Sequence, residues 1–167
     1  MSFDNYPSRL MLKSLEVAQW LGGQGIVEKT GKNDGPFIEF CLSRVGRIKG
    51  DAYCAAFVYT VVEVSGFIIG RDKSPLKKTG LVLAMRRDLE KFNCFHPKAT
   101  ITDTQTLPPG CLAIWDYGNG KGHIGFVTKG SVSSNAFETV EGNHSNKITH
   151  VTRKLTDANL VGFGVYP

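Results

Sequence analysis

Apolar residues recur at helical spacing through the first part of the chain and alternate with polar ones through the last part. Between Ser8 and Leu21, the residues Leu10, Leu12, Leu15, Val17, Ala18 and Leu21 mark one side of a helix that Gly22-Gly23 ends. Gly31 to Pro36 is a polar turn. After it, Phe37, Ile38, Phe40, Cys41 and Leu42 predict a second helix, with Asp34 as candidate cap, Pro36 in its first turn and Gly46 at its close. A third helix is predicted from about Ala52 to Ser65, with Asp51 as candidate N-cap. It is apolar nearly all round (Ala55, Ala56, Phe57, Val58, Val61, Val62, Val64), the pattern of a helix buried at the centre of a domain. Gly66 and Gly70 mark its exit, and a Lys- and Pro-rich loop leads to a short helix near Leu81 to Phe92.

From residue 100 the period changes. Pro108-Pro109-Gly110 is a turn, and Cys111 to Trp115, His123 to Thr128, Ala136 to Val140, Ile148 to Thr152 and Val161 to Val165 read as strands separated by Gly, Asn and Ser clusters. Helices first and strands second predict an α+β fold, with N-terminal helices packed on a C-terminal antiparallel sheet. With no internal repeat, low-complexity segment or linker, residues 1–167 are expected to form one domain.

Composition narrows the class. At 41% hydrophobic and 21% charged, the 167 residues can bury a core without disulfides. No stretch approaches the ~18 apolar residues of a membrane helix. Met1 to Leu12 holds no apolar run of signal-peptide length, so synthesis in the cytoplasm is expected. The net charge of +5 favours anionic partners. Its densest cluster is Lys73, Lys77 and Lys78 with Arg86 and Arg87, and no aromatic-rich basic motif points to nucleic acid.

The four cysteines, at 41, 54, 94 and 111, form no C-x-x-C pair, which argues against a zinc ribbon or a thioredoxin-type motif. Cys41 and Cys111 read as small core residues, and a Cys94–Cys111 bridge stays open. His144 and His150 have neutral surroundings and His96 precedes Pro97, so neither a metal nor another cofactor is expected.

Three segments carry chemistry. Cys54 opens the third helix, where unpaired backbone N–H groups and the helix dipole favour a thiolate. A charged Asp51 nearby would oppose that, so a histidine must supply much of the activation. His123 lies on a predicted strand, Gly122-His123-Ile124-Gly125-Phe126-Val127, and Gly125 keeps the space beside it open. Glu141 and Asn143 are two apart on the next strand and so share a face. A hairpin through a Gly130 to Asn135 loop brings that face to the imidazole, and either side chain could orient it. A thiol, an imidazole and an orienting acceptor on these element types suit a cysteine nucleophile system.

These segments resemble a known family. Asp51-Ala52-Tyr53-Cys54-Ala55-Ala56-Phe57-Val58 resembles the nucleophile segment of the CHAP peptidoglycan hydrolases, within the papain-like NlpC/P60 superfamily. Pro109-Gly110 to Trp115 followed by Gly122 to Val127 is similar to that superfamily's strand pair with the catalytic histidine, and Val140-Glu141-Gly142-Asn143 to the CHAP ending. Cys111 departs from the acidic residue often found after the Pro-Gly turn. The resemblance implies a papain-like architecture and cleavage of an amide bond in peptidoglycan. Cys54 would be the nucleophile, His123 the base, and Glu141 and Asn143 the groups that hold it. Tyr53, Trp115 and Asp116 become candidate substrate contacts, and Tyr117 with Trp115 and Asp116 a candidate lining of the cleft. A monomer is expected, acting at the wall or in the periplasm after phage lysis or injection. An injected effector would have an immunity or delivery protein as partner. Two other readings stay open: a cysteine amidase or peptidase on a non-wall substrate, and a non-catalytic module binding through the basic loop at Lys73 to Lys78.

Overall fold

A computed structural model describes residues 6–101, 106–131 and 134–167. Residues 1–5 of the Met1–Leu12 segment, and 132 and 133 of the predicted Gly130–Asn135 loop, lie outside the described residues.

The first helix, α1 (Arg9–Gly22), starts at Ser8, whose hydroxyl accepts the Met11 N–H at 3.1 Å. Its stripe of Leu10, Met11, Leu15, Ala18 and Leu21 is buried toward α3. In α2 (Pro36–Arg44), Pro36 takes the first position but Asp34 does not cap it. Its buried carboxylate accepts from the Thr30 N–H at 2.8 Å and the Thr30 hydroxyl at 2.9 Å, closing the preceding turn instead. The central α3 (Cys54–Ile68) is buried on nearly every side, as its composition predicts. It starts two residues later than expected. Asp51 is not its cap: that carboxylate accepts the Ile48 N–H at 3.3 Å and faces Arg47 at 3.7 Å. Tyr53 takes the cap position without a side-chain bond. Gly66 does not end α3, which continues to Ile68 and leaves through Gly70 in a left-handed conformation. The last helix is α4 (Val82–Lys91).

Six strands follow: β1 (Phe95–Pro97), β2 (Leu112–Gly118), β3 (Lys121–Ser131), β4 (Ala136–His144), β5 (Lys147–Lys154) and β6 (Leu160–Gly164). They form one antiparallel sheet in the order β1-β6-β2-β3-β4-β5. The expected α+β layout is the one observed. The periodicity missed β1, which is only three residues long and pairs His96 with Phe163.

The sheet is strongly curled. β4 and β6 stand three strand spacings apart, which in a flat sheet is roughly 14 Å. Yet the rings of Phe137 on β4 and Phe163 on β6 meet edge to face, 5.5 Å between centroids. The curl encloses Trp115, Val127, Phe137 and Phe163, all with at most 1% of their surface exposed. α3 covers the outer face of β3 and β4, where Phe57 packs edge-on against Phe126. Cys41, Cys54, Cys94 and Cys111 are all free thiols, so the open Cys94–Cys111 bridge is not formed. Among the described residues, no helix is long and apolar enough to cross a membrane.

Candidate active site

Cys54 is the first residue of α3, and a residue there has an N–H with no partner inside the helix. His123, near the start of β3, donates to Glu141 of β4 and lines the same cleft as this cysteine, whose Sγ donates to the Gly122 carbonyl at 4.0 Å, one residue before the imidazole. Register explains the meeting with Glu141. Gly125 pairs directly with Glu141, so the carboxylate lies across β3 toward the imidazole two residues away. A Cβ on Gly125 would stand 2.5 Å from the Glu141 Cγ, so only glycine leaves the path clear.

The bond from His123 Nε2 to Glu141 Oε2 measures 2.7 Å. An ionised carboxylate can only accept, so Nε2 carries the proton and Nδ1 is the nitrogen left for the sulfur. Glu141 is fully buried and its two oxygens are saturated. Arg153 of β5 clamps them, Nε donating to Oε1 at 2.8 Å and Nη2 to Oε2 at 2.5 Å. The Thr139 hydroxyl donates to Oε1 at 2.5 Å. The guanidinium in turn lies 4.8 Å above the Trp115 ring.

Burial alone would push Glu141 up, but the bonds from Arg153 and His123 outweigh it and hold the carboxyl down at about 2. For His123 burial acts to lower the value. The hydrogen bonds to Cys54 and Glu141, and then their charges, overcome it and raise the imidazole to about 9. Near neutral pH the site therefore holds an imidazolium beside a permanent carboxylate.

Cys54 and His123 are only 4% and 7% exposed, but they are not sealed off. Both line an open cleft of about 450 Å³, whose other walls are Ala52, Gly80 to Val82, Tyr117, Gly120 to Gly122 and Asn143.

The predicted residues divide as follows. Cys54, His123 and Glu141 come together. Asn143 does not share the Glu141 face: the β4–β5 register shifts between Glu141 and His144, and Asn143 takes a left-handed φ of 59°. That turn places it on the cleft wall, leaving Glu141 as the partner of the imidazole. Of the residues expected to line the cleft or touch substrate, Tyr117 lines it and Tyr53, Trp115 and Asp116 do not. Trp115 is wholly buried, its indole N–H donating to Asp157 at 3.0 Å, because the sheet curls over it. Tyr53 is wholly buried beneath the start of α3. Asp116 faces Arg86 at 3.4 Å in a neighbouring groove.

Sequence reading missed Arg153, Thr139 and His144. The i, i+2 spacing of Thr139 and Glu141 was the one visible signal. His144 does not stand in neutral surroundings: its Nδ1 lies 3.6 Å from Glu141 Oε2 and 3.3 Å from Arg153 Nη2. His123, Glu141 and His144 bring three ligand-type atoms within 4.8 Å of one another. The Arg153 guanidinium already sits against two of those residues, so a metal ion there would meet a fixed cation.

The family model described as CHAP domain matches residues 46–143, from the turn before α3 to the last residue on the cleft wall. No curated protein and no solved structure matches the chain.

Proposed function

The chain belongs to the CHAP-domain family, of the papain-like peptidoglycan hydrolase group, and from that membership and the geometry we propose a cysteine hydrolase that cuts an amide bond of the wall peptide. The observation that carries this reading is Cys54 at a helix start and the His123–Glu141 pair opening together onto one cleft. With its value raised to about 9, the His123 imidazole is basic enough to hold a proton near neutral pH.

The Cys54 thiolate attacks the scissile carbonyl carbon, and the C=O electron pair moves onto oxygen. The resulting oxyanion is met by the Cys54 N–H at the helix start. The Asn143 side chain, on the same wall, supplies the second donor. Imidazolium Nδ1–H then protonates the leaving nitrogen, the C–N bond breaks and a thioester remains. Water, losing a proton to Nδ1, attacks the thioester and releases the new carboxylate. Glu141 keeps its charge throughout and holds the ring in one tautomer.

The test is mass spectrometry of fragments released from purified sacculi. New amino and carboxyl ends in stem peptides or at the lactyl amide are expected. New reducing sugar ends, or no release by a folded enzyme, would refute the reading, and turnover of small amides alone would favour a non-wall substrate. Asn143→Ala should lower kcat by on the order of 10² with KM little changed, the effect of deleting one oxyanion donor. A large KM change at constant kcat would instead make Asn143 a substrate-binding group.

A further inference from the structure

The charge on the cleft walls is one-sided. Of the described residues that line it, Lys121 and His123 are the only ones that can carry positive charge, and no carboxylate is among them. Lys121 is exposed and pairs with no acidic side chain among the described residues. Lys13, Lys49 and Lys129, by contrast, each meet one.

Its placement is built by the fold. Gly118, Asn119 and Gly120 take left-handed φ values of 78°, 52° and 77°, making the tight turn that joins β2 to β3. Lys121 is the first residue after that turn and pairs back with Gly118. It stands two residues before His123, so the pleat puts both on one face, with about 6.6 Å between them along the strand. A peptide in the cleft advances ~3.3–3.6 Å per residue. An ammonium on a flexible four-carbon stem at position 121 thus reaches the residue next to the scissile amide, or the one beyond.

We propose that Lys121 is a specificity-determining residue that recognises a free carboxylate on the residue flanking the scissile amide. The ligand chemistry is an anionic peptide, the carboxylate form rather than its carboxamide. Neutralising that carboxylate, as amidation of a stem peptide does, removes the group the lysine reads. The proposal rests on the amide-hydrolase reading for its substrate, while the charge of the cleft can be measured without any substrate.

Two measurements test it, on wild type and Lys121→Gln. The first is kcat/KM on a pair of synthetic stem peptides differing only in carboxylate against carboxamide beside the cleavable bond. Two unit charges ~7 Å apart are worth roughly threefold in bulk water and roughly fiftyfold near a protein surface, so wild type should prefer the carboxylate by a factor in that range. In Lys121→Gln the ratio should fall toward one. The second is the rate of Cys54 alkylation by iodoacetate relative to iodoacetamide, read by peptide mass spectrometry. Lys121→Gln should lower that ratio several-fold, and a melting curve checks that the variant is folded. An unchanged alkylation ratio, or equal wild-type turnover of the two peptides, overturns the proposal. If neither peptide is cut while the alkylation ratio falls, anion recognition stands and the amide-hydrolase reading is the one that fails.

Discussion

Replacing Cys54 by alanine is expected to cut wall turnover by on the order of 10⁶, as loss of the nucleophile does in other covalent hydrolases. The small side chain fits the first turn of α3, so the variant should fold and its melting curve will show it. A second readout tests the pairing rather than the chemistry. The Cys54 hydrogen bond and its charge both raise His123, which stands at about 9. Without them the imidazole should titrate lower while Glu141 still holds it up, as NMR of labelled histidine will report. The linkage has a definite sign. A histidine raised from 6.5 to about 9 contributes stability that is whole below 6.5 and lost as pH rises through about 9. In Cys54→Ala that contribution should be smaller and its loss complete at lower pH. Wild-type turnover by the variant, or an unmoved His123 titration, would dismantle the proposed pair.

Arg153→Met is expected to be the most damaging change outside the cleft. Methionine has the length of the arginine stem but leaves Glu141 ionised and buried with its two strongest donors gone. Breaking one partner of a buried pair costs about 3–5 kcal/mol, a fall in Tm of roughly 6–20 °C for a domain of this size. Turnover should drop by about 10² as His123 loses a fixed acceptor. The pH dependence follows from the carboxylate. In wild type Glu141 lies at about 2, below its ordinary 4.5, so its contribution is whole above 4.5 and lost as pH falls through about 2. In the variant the carboxyl keeps its His123 and Thr139 bonds but loses the guanidinium, so burial moves it up from about 2. The destabilisation should then be largest at neutral pH and shrink in acid, where a protonated carboxyl needs no cation. The double variant Arg153→Met with Glu141→Gln removes the stranded charge, so it should recover part of the lost stability and none of the turnover. Thermal melts across pH and the same sacculus assay decide this. A variant as stable and active as wild type would show that the Arg153 clamp is dispensable.

Arg153 shows where sequence reading stops. It sits on β5, beyond the residues 46–143 that the family model matches. Two of its partners, Glu141 and Trp115, lie on β4 and on β2, and only the curl of the sheet makes β5 and β2 meet over them. Alternation tells which face of a strand a residue occupies, but carries no information on how far a sheet bends. The same curl explains Trp115. A tryptophan before a candidate catalytic strand invites a substrate role, and the closed inner face turns it into core.

The two helix caps and the Asn143 face differ from expectation for a related reason. Asp51 and Asp34 have the right residue type and position to cap helices, yet each carboxylate serves a neighbouring turn, Ile48 for one and Thr30 for the other. A capping residue has several backbone N–H groups in reach, and the winner depends on the path of the whole loop. Asn143 was assigned to the Glu141 face by a period of two, which its left-handed backbone interrupts.

What the chain's residue order determined by itself is local: the apolar stripe of α1, the all-round apolar α3 with a cysteine at its start, the alternating strands, and the glycine at 125 that opens a path to the imidazole. These follow from side-chain spacing against periods of 3.6 and two, so they are legible without knowing what lies across from them. Tertiary structure alone decided which acceptor holds His123, what keeps a buried carboxylate charged, and which side chains face the cleft. Those depend on distances between strands far apart in sequence, set by the curl of the sheet and its register, and no local pattern encodes them.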